Sequence, residues 1–344
     1  TLSLHDALPI YPHNTNKATI RAFRSALYDF DRGRLSSVVN NVFDPGCAVH
    51  LANPFEDLDG PGGLLDQALF PLADAVPDLE RRDTIVIAGS VLGQDWVGCA
   101  GYYTGLFERP WLKIPPTGHQ ISLRFHEFYR MEEGRVIEMQ ALWDIPEVMM
   151  QAQAWPMAPS VGREWHVPGP ATQDGIVAPP HDEEKATSSV KLVSDMLQRL
   201  SRFADGGVKA MALDQYWHPK MNWYGPSGIG TNRRIQGFRN WHQIPFLAAM
   251  PNRRGSGGKG ALFGDGEYVG FTAWPGMTAT ITGDGWMGIA PAGQKITMRS
   301  LDFWRCEEGL IRENWVLVDL LDVYTQIGVD VFRRMEEFTH DRQR

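Results

Sequence analysis

The chain has 344 residues, of which 43% are hydrophobic and 22% charged, and its formal net charge is −8. These values are typical of a globular protein, and the negative charge argues against nucleic acid or an anionic membrane as the main partner. No run of 18 apolar residues is present, so no segment is expected to span a membrane. Three cysteines without metal-type spacing predict reduced thiols, a cytoplasmic location and no metal site.

The first half of the chain has the pattern of helices followed by strands. Residues 1–13 lack a signal-peptide pattern, and we expect them to be disordered or non-native. From Lys17, apolar residues recur at helical spacing as far as Gly33, and two shorter helices follow. Three alternating segments come next, the last of them a hairpin with its turn at Glu132–Gly134. This order predicts an α+β unit, in which N-terminal helices pack on one face of a curved, mostly antiparallel sheet.

The second half of the chain repeats the first. A shift of 175 residues places 118–151 on 293–326 without a gap, with 13 identities in 34 positions. Unrelated sequences would share about two. The sequence therefore predicts two tandem domains, at 14–152 and 183–344. Between them, 153–182 contains six prolines and predicts a semi-rigid linker.

Charged residues retained in both halves share one face of the predicted hairpin, because side chains two apart on a strand point the same way. They are Arg124, Arg130, Glu138 and Asp144 in the first half, and Arg299, Arg305, Glu313 and Asp319 in the second. One interpretation is the polar floor of a pocket, with Asp144 or Asp319 at its end. The other is a structural ion-pair network on a solvated face.

The two halves differ in other polar residues of the same region. The first has His50, His126 and Gln140 where the second has Tyr224, Leu301 and Trp315. His126 shares the parity of Asp144, so an Asp/His acid–base pair is possible in the first half alone, and this favours the first half as the working unit. A structural histidine is the alternative. The second half could bind a flat apolar molecule or merely complete a paired scaffold.

These motifs resemble a known family. Pro115-Pro116-Thr117-Gly118 before a strand, and Glu313-Asn314-Trp315 followed by Asp319 and Gln326-Ile327-Gly328, resemble the SnoaL-like polyketide cyclases. The resemblance covers both halves. It implies two cone-shaped units of the nuclear transport factor 2-like type, each enclosing an apolar pocket. It also implies an intramolecular pseudo-dimer, and leaves a further homodimer open.

The resemblance further implies a reaction without metal or cofactor. Asp144 and Asp319 would act as general acid/base in an aldol cyclisation, isomerisation or dehydration of an apolar, polyketide-like or aromatic carbonyl compound. Arg124, Arg130 or His126 could donate to the enolate oxygen. The other residues expected to bind substrate are His50, Gln140, Tyr224, Arg299, Arg305 and Trp315.

Two alternatives remain open. Epoxide hydrolases on this fold use an Asp/Arg/Asp arrangement, for which the second half offers Arg299, Asp302 and Asp319, although Asp302 has the opposite parity. A non-catalytic protein that binds a small molecule or serves in an assembly is the other alternative.

Overall fold

A computed structural model describes residues 12–200, 202–255, 260–283 and 285–342. Of the segment 1–13, residues 1–11 lie outside the described ranges, and the first helix begins at Pro12. Unit one comprises helices α1 (Pro12–Tyr28), α2 (Arg32–Val42), α3 (Gly60–Gly63), α4 (Phe70–Ala75) and α5 (Ile145–Gln151), a π-helical turn (Leu64–Leu69), and strands β1 (Phe43–Leu51), β2 (Glu56–Leu58), β3 (Glu80–Val91), β4 (Gln94–Leu106), β5 (Gln120–Glu132) and β6 (Arg135–Trp143).

Unit two follows the same order after the linker, with an additional short strand (Arg254–Gly255) and an additional final helix (Val331–Arg342). Its helices are α6 (Glu183–Leu200), α7 (Phe203–Met211), α8 (Arg234–Phe238), α9 (Ile244–Ala249), α10 (Leu320–Gln326) and α11 (Val331–Arg342), with a 3-10 turn (Leu213–Gln215) and a π-helical turn (Arg239–Gln243). Its strands are β7 (Trp217–Tyr224), β8 (Thr231–Arg233), β9 (Arg254–Gly255), β10 (Gly260–Asp265), β11 (Tyr268–Thr280), β12 (Lys295–Glu307) and β13 (Leu310–Val318).

Each unit contains one open, curved sheet. The strand order is β2-β1-β6-β5-β4-β3 in unit one and β10-β11-β12-β13-β7-β8 in unit two, where β9 also pairs with β11. The first strand of each unit runs parallel to the last, and the other pairs are antiparallel. The predicted hairpin is present, with Phe125 opposite Trp143. The predicted α+β class and its tandem arrangement are therefore confirmed.

Both faces of each sheet are buried. One face packs on the helices of its own unit: α1 places Ile20, Phe23 and Leu27 on the core side, at helical spacing. The other face packs against the sheet of the other unit, where the rings of Phe128 and Phe303 stack with centroids 4.8 Å apart. We call this contact the inter-unit face. Gly98 permits it, because a Cβ there would lie 2.9 Å from both of these rings.

The linker packs along the same contact. The Tyr102 hydroxyl donates to the Val167 carbonyl at 2.7 Å, and the Trp315 indole donates to the Pro168 carbonyl at 2.9 Å. Further on, Ile176 forms a parallel bridge with Val86 of β3. The linker thus contacts both sheets and is part of the folded body, rather than a free spacer.

Candidate functional site

The two aspartates singled out by the sequence lie at the inter-unit face. Asp144 accepts from the Arg124 guanidinium at 3.0 Å and from the backbone N–H of Ser227, in the other unit, at 2.9 Å. Asp319 mirrors this arrangement. It accepts from the Arg299 guanidinium at 3.1 Å and from the backbone N–H of Asn53, in the other unit, at 2.9 Å. We call these two contacts the carboxylate clamps. Each one ties its own unit to a loop of the other.

The expected pairing of His126 with Asp144 is not formed. The Nδ1 atom of His126 lies 2.6 Å from the carbonyl of Leu301 in unit two. Burial, aided by the charge of Arg124, lowers the pKa of His126 to about 3. A histidine that is neutral at physiological pH and bonded to a backbone carbonyl fixes the inter-unit face, and it is poorly suited to exchange protons with Asp144.

The other candidates form polar contacts in the same region. Arg130 pairs with Glu138 at 2.8 Å, and Arg305 pairs with Glu313 at 2.7 Å. Tyr224 also donates to Glu313, at 3.0 Å. Gln140 accepts from the Thr272 hydroxyl of unit two, and His50 contacts Asp57 at 2.6 Å. The Trp315 indole donates to the Pro168 carbonyl of the linker. The interpretation as an ion-pair network fits these contacts. The Arg124–Asp144 and Arg305–Glu313 pairs are buried, whereas the Arg130–Glu138 pair is partly exposed.

Among the described residues, an aromatic-lined cavity lies on the opposite face of the unit two sheet. This chamber, with a volume of about 140 Å³, lies between β7, β12, β13 and the helices of unit two. Four tryptophans contribute to its walls: Trp217, Trp223, Trp286 and Trp304. A dry cavity of similar volume in another protein accepts benzene, so this one is large enough for about one aromatic ring.

Asp302 supplies a carboxyl group to the chamber. It lies on β12, and one of its oxygens accepts from the Ser300 hydroxyl at 2.9 Å. Burial raises its pKa to about 7, although the Ser300 hydrogen bond opposes the shift. A carboxyl group with a pKa near the working pH can both take up and release a proton, as a general acid/base must. Burial raises the pKa of Asp319 to about 7 as well. What distinguishes Asp302 is its position in the chamber wall.

Hydrogen-bond donors without partners line the same chamber. Within the described residues, the indole N–H groups of Trp217 and Trp304 are buried and have no acceptor. His242, from the π-helical turn, stacks on Trp223 with ring centroids 4.1 Å apart, and burial lowers its pKa to about 3. A buried donor left unpaired costs about 1–3 kcal/mol. The oxygen atom of a guest molecule would relieve this cost.

Unit one has a different arrangement at the position of Asp302. The 175-residue shift places Glu127 there. Glu127 binds the Arg81 guanidinium at 2.5 Å, and its carboxylate also accepts from Tyr103 at 2.9 Å, from Trp143 at 3.0 Å and from Tyr129. Four side chains thus saturate this carboxylate and occupy the interior. The equivalent carboxyl in unit two has one side-chain donor and faces a cavity.

The sequence contains a signal for the chamber in the alternation along β12. Ser300, Asp302 and Trp304 alternate with the retained charged residues of β12, and opposite parity places them on the other face. The same parity separates Asp302 from Arg299 and Asp319. The structure places Arg299 and Asp319 at the inter-unit face and Asp302 in the chamber. An Asp/Arg/Asp site is therefore not assembled from these three residues.

Other classes of site can be checked against the described residues. Among these side chains, no three His, Cys, Asp or Glu residues come together as ligands for a metal ion. Cys47, Cys99 and Cys306 are buried and form no disulfide. None of the helices in the described ranges combines the length and apolar character that crossing a bilayer requires.

Comparisons with known proteins match both units. A sequence model of the family described as SnoaL-like polyketide cyclase matches residues 19–152 and again residues 195–327. Among solved structures, a candidate SnoaL-like polyketide cyclase from Jannaschia sp. CCS1 is 23% identical, with a TM-score of 0.36, over 42% of this chain and 94% of that chain.

Two further solved structures have similar coverage. AclR, a candidate hydroxylase from Streptomyces galilaeus, is 17% identical, with a TM-score of 0.35, over 41% of this chain and 96% of its own. IdmH, a candidate polyketide cyclase from Streptomyces antibioticus, is 19% identical, with a TM-score of 0.34, over 40% of this chain and 98% of its own. A search of curated proteins finds no match to this chain.

Proposed function

The chain belongs to the SnoaL-like polyketide cyclase family, and from this premise we propose that unit two is an acid/base enzyme in which Asp302 acts on a compact apolar carbonyl compound. The observation that carries the proposal is the contrast between two equivalent carboxyl groups. Glu127 is saturated by four donors in unit one, whereas Asp302 has one side-chain donor and lines an aromatic chamber in unit two.

The chemistry follows from the groups that face the chamber. The Asp302 carboxylate takes a proton from the carbon next to a substrate carbonyl, and the electrons of that C–H bond form an enolate. The indole N–H of Trp217 or Trp304 donates to the enolate oxygen. The enolate carbon then attacks a second carbonyl of the same molecule, a carbon–carbon bond forms, and the new alkoxide recovers the proton from Asp302. If the substrate has no second carbonyl, Asp302 returns the proton to a different carbon of a conjugated enolate, and the result is isomerisation.

The chamber also limits the substrate. Its walls are largely aromatic and aliphatic, and its volume of about 140 Å³ suits a molecule with one ring. His242 is neutral there. Arg253 also lines the chamber, and its guanidinium donates to the Leu200 carbonyl at 3.3 Å. We infer a neutral, single-ring or ring-forming ketone as the substrate class. The carboxylate clamps serve assembly of the two units in this proposal.

Deuterium exchange provides a test that does not require the natural substrate. Phenylacetone is incubated with the protein in D₂O, and loss of its α-proton signal is followed by ¹H NMR. We expect the wild-type protein to accelerate exchange, with a rate that rises as the pH passes about 7, where Asp302 loses its proton. Asp302→Asn should reduce the protein-catalysed rate by about 10²-fold or more.

The comparison variant is Asp144→Asn, which removes a clamp carboxylate and leaves the chamber intact. It should retain most of the exchange activity. If Asp302→Asn exchanges as fast as wild type, or if Asp144→Asn is the inactive variant, the proposed assignment is wrong. Tight binding of the ketone without any exchange would instead favour a small-molecule carrier.

A further inference from the structure

A second candidate site lies on the outside of unit two, where the linker passes the edge of the sheet. We propose that this groove, which we call the tryptophan groove, binds a planar aromatic molecule that carries one anionic group, a carboxylate or a phosphate. The lining of the groove includes two tryptophans, two arginines and one asparagine: Trp165, Trp241, Arg163, Arg233 and Asn232.

Two tryptophans form its apolar surfaces. Trp165 and Trp241 are 46% and 53% exposed, whereas the other ten tryptophans of the chain are buried or half-buried. Trp165 belongs to the linker and Trp241 to the π-helical turn, so the two rings belong to different walls of the groove. Indole surfaces left in water favour a flat aromatic guest, because stacking buries apolar area on both partners.

The charge of the groove is positive, although the chain as a whole is acidic. Arg163 and Arg233 line it, and no acidic residue does. Arg233 donates to the Asn222 side chain at 3.1 Å, and Arg163 lies 6.0 Å from the ring centroid of Trp165. In the described part of the chain, neither guanidinium pairs with a carboxylate. Guanidinium groups bind carboxylate and phosphate oxygens through paired hydrogen bonds, so the groove favours an anion.

A buried donor marks where the ligand oxygen would bind. Asn232 is only 4% exposed, yet it lines the groove, and its Nδ2 atom has no partner among the described residues. Strand β8 holds Asn232 opposite Trp223, and the neighbouring Thr231 exchanges backbone hydrogen bonds of 2.9 and 2.8 Å with Arg163. The donor is therefore fixed in place by the sheet and the linker. A ligand oxygen would satisfy it, which a purely apolar guest could not do.

Calorimetric titration of the full chain tests this inference with three probes that share one ring system: 2-naphthoate, 2-naphthyl phosphate and the neutral 2-naphthalenemethanol. We expect at least one of the two anions to bind, and the alcohol to bind at least about tenfold more weakly, since it cannot pair with guanidinium groups. Binding should also weaken as salt is added, because both arginines are exposed.

Variants locate the binding. Trp241→Ala and Arg233→Glu should each weaken anion binding about tenfold, and Asn232→Leu, which keeps the size but removes the donor, should weaken it as well. Tyr28→Ala and Arg333→Glu are matched controls on other surfaces and should leave binding unchanged. Circular dichroism verifies that each variant is folded.

Three results would overturn the inference. They are absence of anion binding by the wild-type protein at millimolar probe, equal binding of the neutral alcohol, and anion binding that Trp241→Ala and Arg233→Glu leave unchanged. Preference for the carboxylate or for the phosphate probe supports the inference in either case and identifies the anionic group.

Discussion

Replacing Asp302 with asparagine should stabilise the protein, and more so at pH 8 than at pH 5. Burial raises the pKa of this carboxyl to about 7 from an ordinary value of 3.8. Between pH 3.8 and about pH 7, the folded protein holds a proton on Asp302 that the unfolded chain has released. The contribution of Asp302 to stability therefore falls as the pH rises through this window. Asparagine cannot lose a proton and escapes this loss, while its carbonyl oxygen can still accept from Ser300.

The size of the effect follows from the width of that window. A rise of the pKa from 3.8 to about 7 corresponds to an upper limit of about 4 kcal/mol at pH 8, where the wild-type carboxyl is largely ionised in both states. At pH 5 the same linkage relation gives about 1.5–2 kcal/mol. The stabilisation by Asp302→Asn should therefore be about 2–3 kcal/mol larger at pH 8 than at pH 5.

Urea unfolding of the two proteins at both pH values measures this difference. Asp66→Asn, which alters an exposed carboxyl, is the matched control. Its urea midpoint should equal that of the wild-type protein at pH 5 and again at pH 8. An Asp302→Asn variant that gains the same free energy of unfolding at both pH values would refute the reasoning, because it would mean that the carboxyl has no raised pKa. A gain in stability together with lost activity is the pattern expected of a functional group.

Three further outcomes are expected. Asp144→Asn should lower the free energy of unfolding by about 1–3 kcal/mol in urea titrations, because it weakens a bond to a backbone N–H of the other unit, and an unchanged midpoint would contradict the clamp assignment. Ser300→Ala should move the midpoint of the pH–rate profile for deuterium exchange upward, because the lost hydrogen bond favours the ionised form of Asp302; a downward move would contradict it. Gly98→Ala should lower the melting temperature by several degrees, because its methyl group would meet two phenylalanine rings at 2.9 Å, and an unchanged value would show that the sheets can separate without cost.

Much of the fold could be predicted from the chain because its signals are local or repeated. The alternation in Ile121–Met131 and the turn at Glu132–Gly134 define the hairpin, and the 175-residue repeat shows that there are two units. Strand parity also grouped the retained charged residues on one face, because that grouping depends on the backbone of one strand alone.

The location of the chamber could not be predicted in the same way. Parity states which side chains share a face, but it does not state what covers the face. In this chain both faces of each sheet are buried, one by helices of the same unit and one by a sheet far away in sequence. Arg124 and Asp144 meet Gly225 and Ser227, about 80 to 100 residues further along. A charged face that looked like a pocket floor is thus a contact between units.

The difference between the units also depends on distant residues. Glu127 and Asp302 are similar acids at equivalent positions, and nothing next to them in the sequence separates their roles. Arg81 makes the difference, since it reaches Glu127 from a different strand, 46 residues away. The histidines of this region, His50 and His126, favour unit one as the working unit, whereas the carboxyl group in a cavity belongs to unit two.

A crystal structure of the protein with phenylacetone bound would test the central claim most directly, because it shows which face of which sheet receives a ketone. The proposal predicts the ring inside the unit two chamber, with its α-carbon towards Asp302 and its oxygen within hydrogen-bond distance of the Trp217 or Trp304 indole. Phenylacetone bound between the sheets beside Asp144 or Asp319, or inside unit one near Glu127, would contradict it.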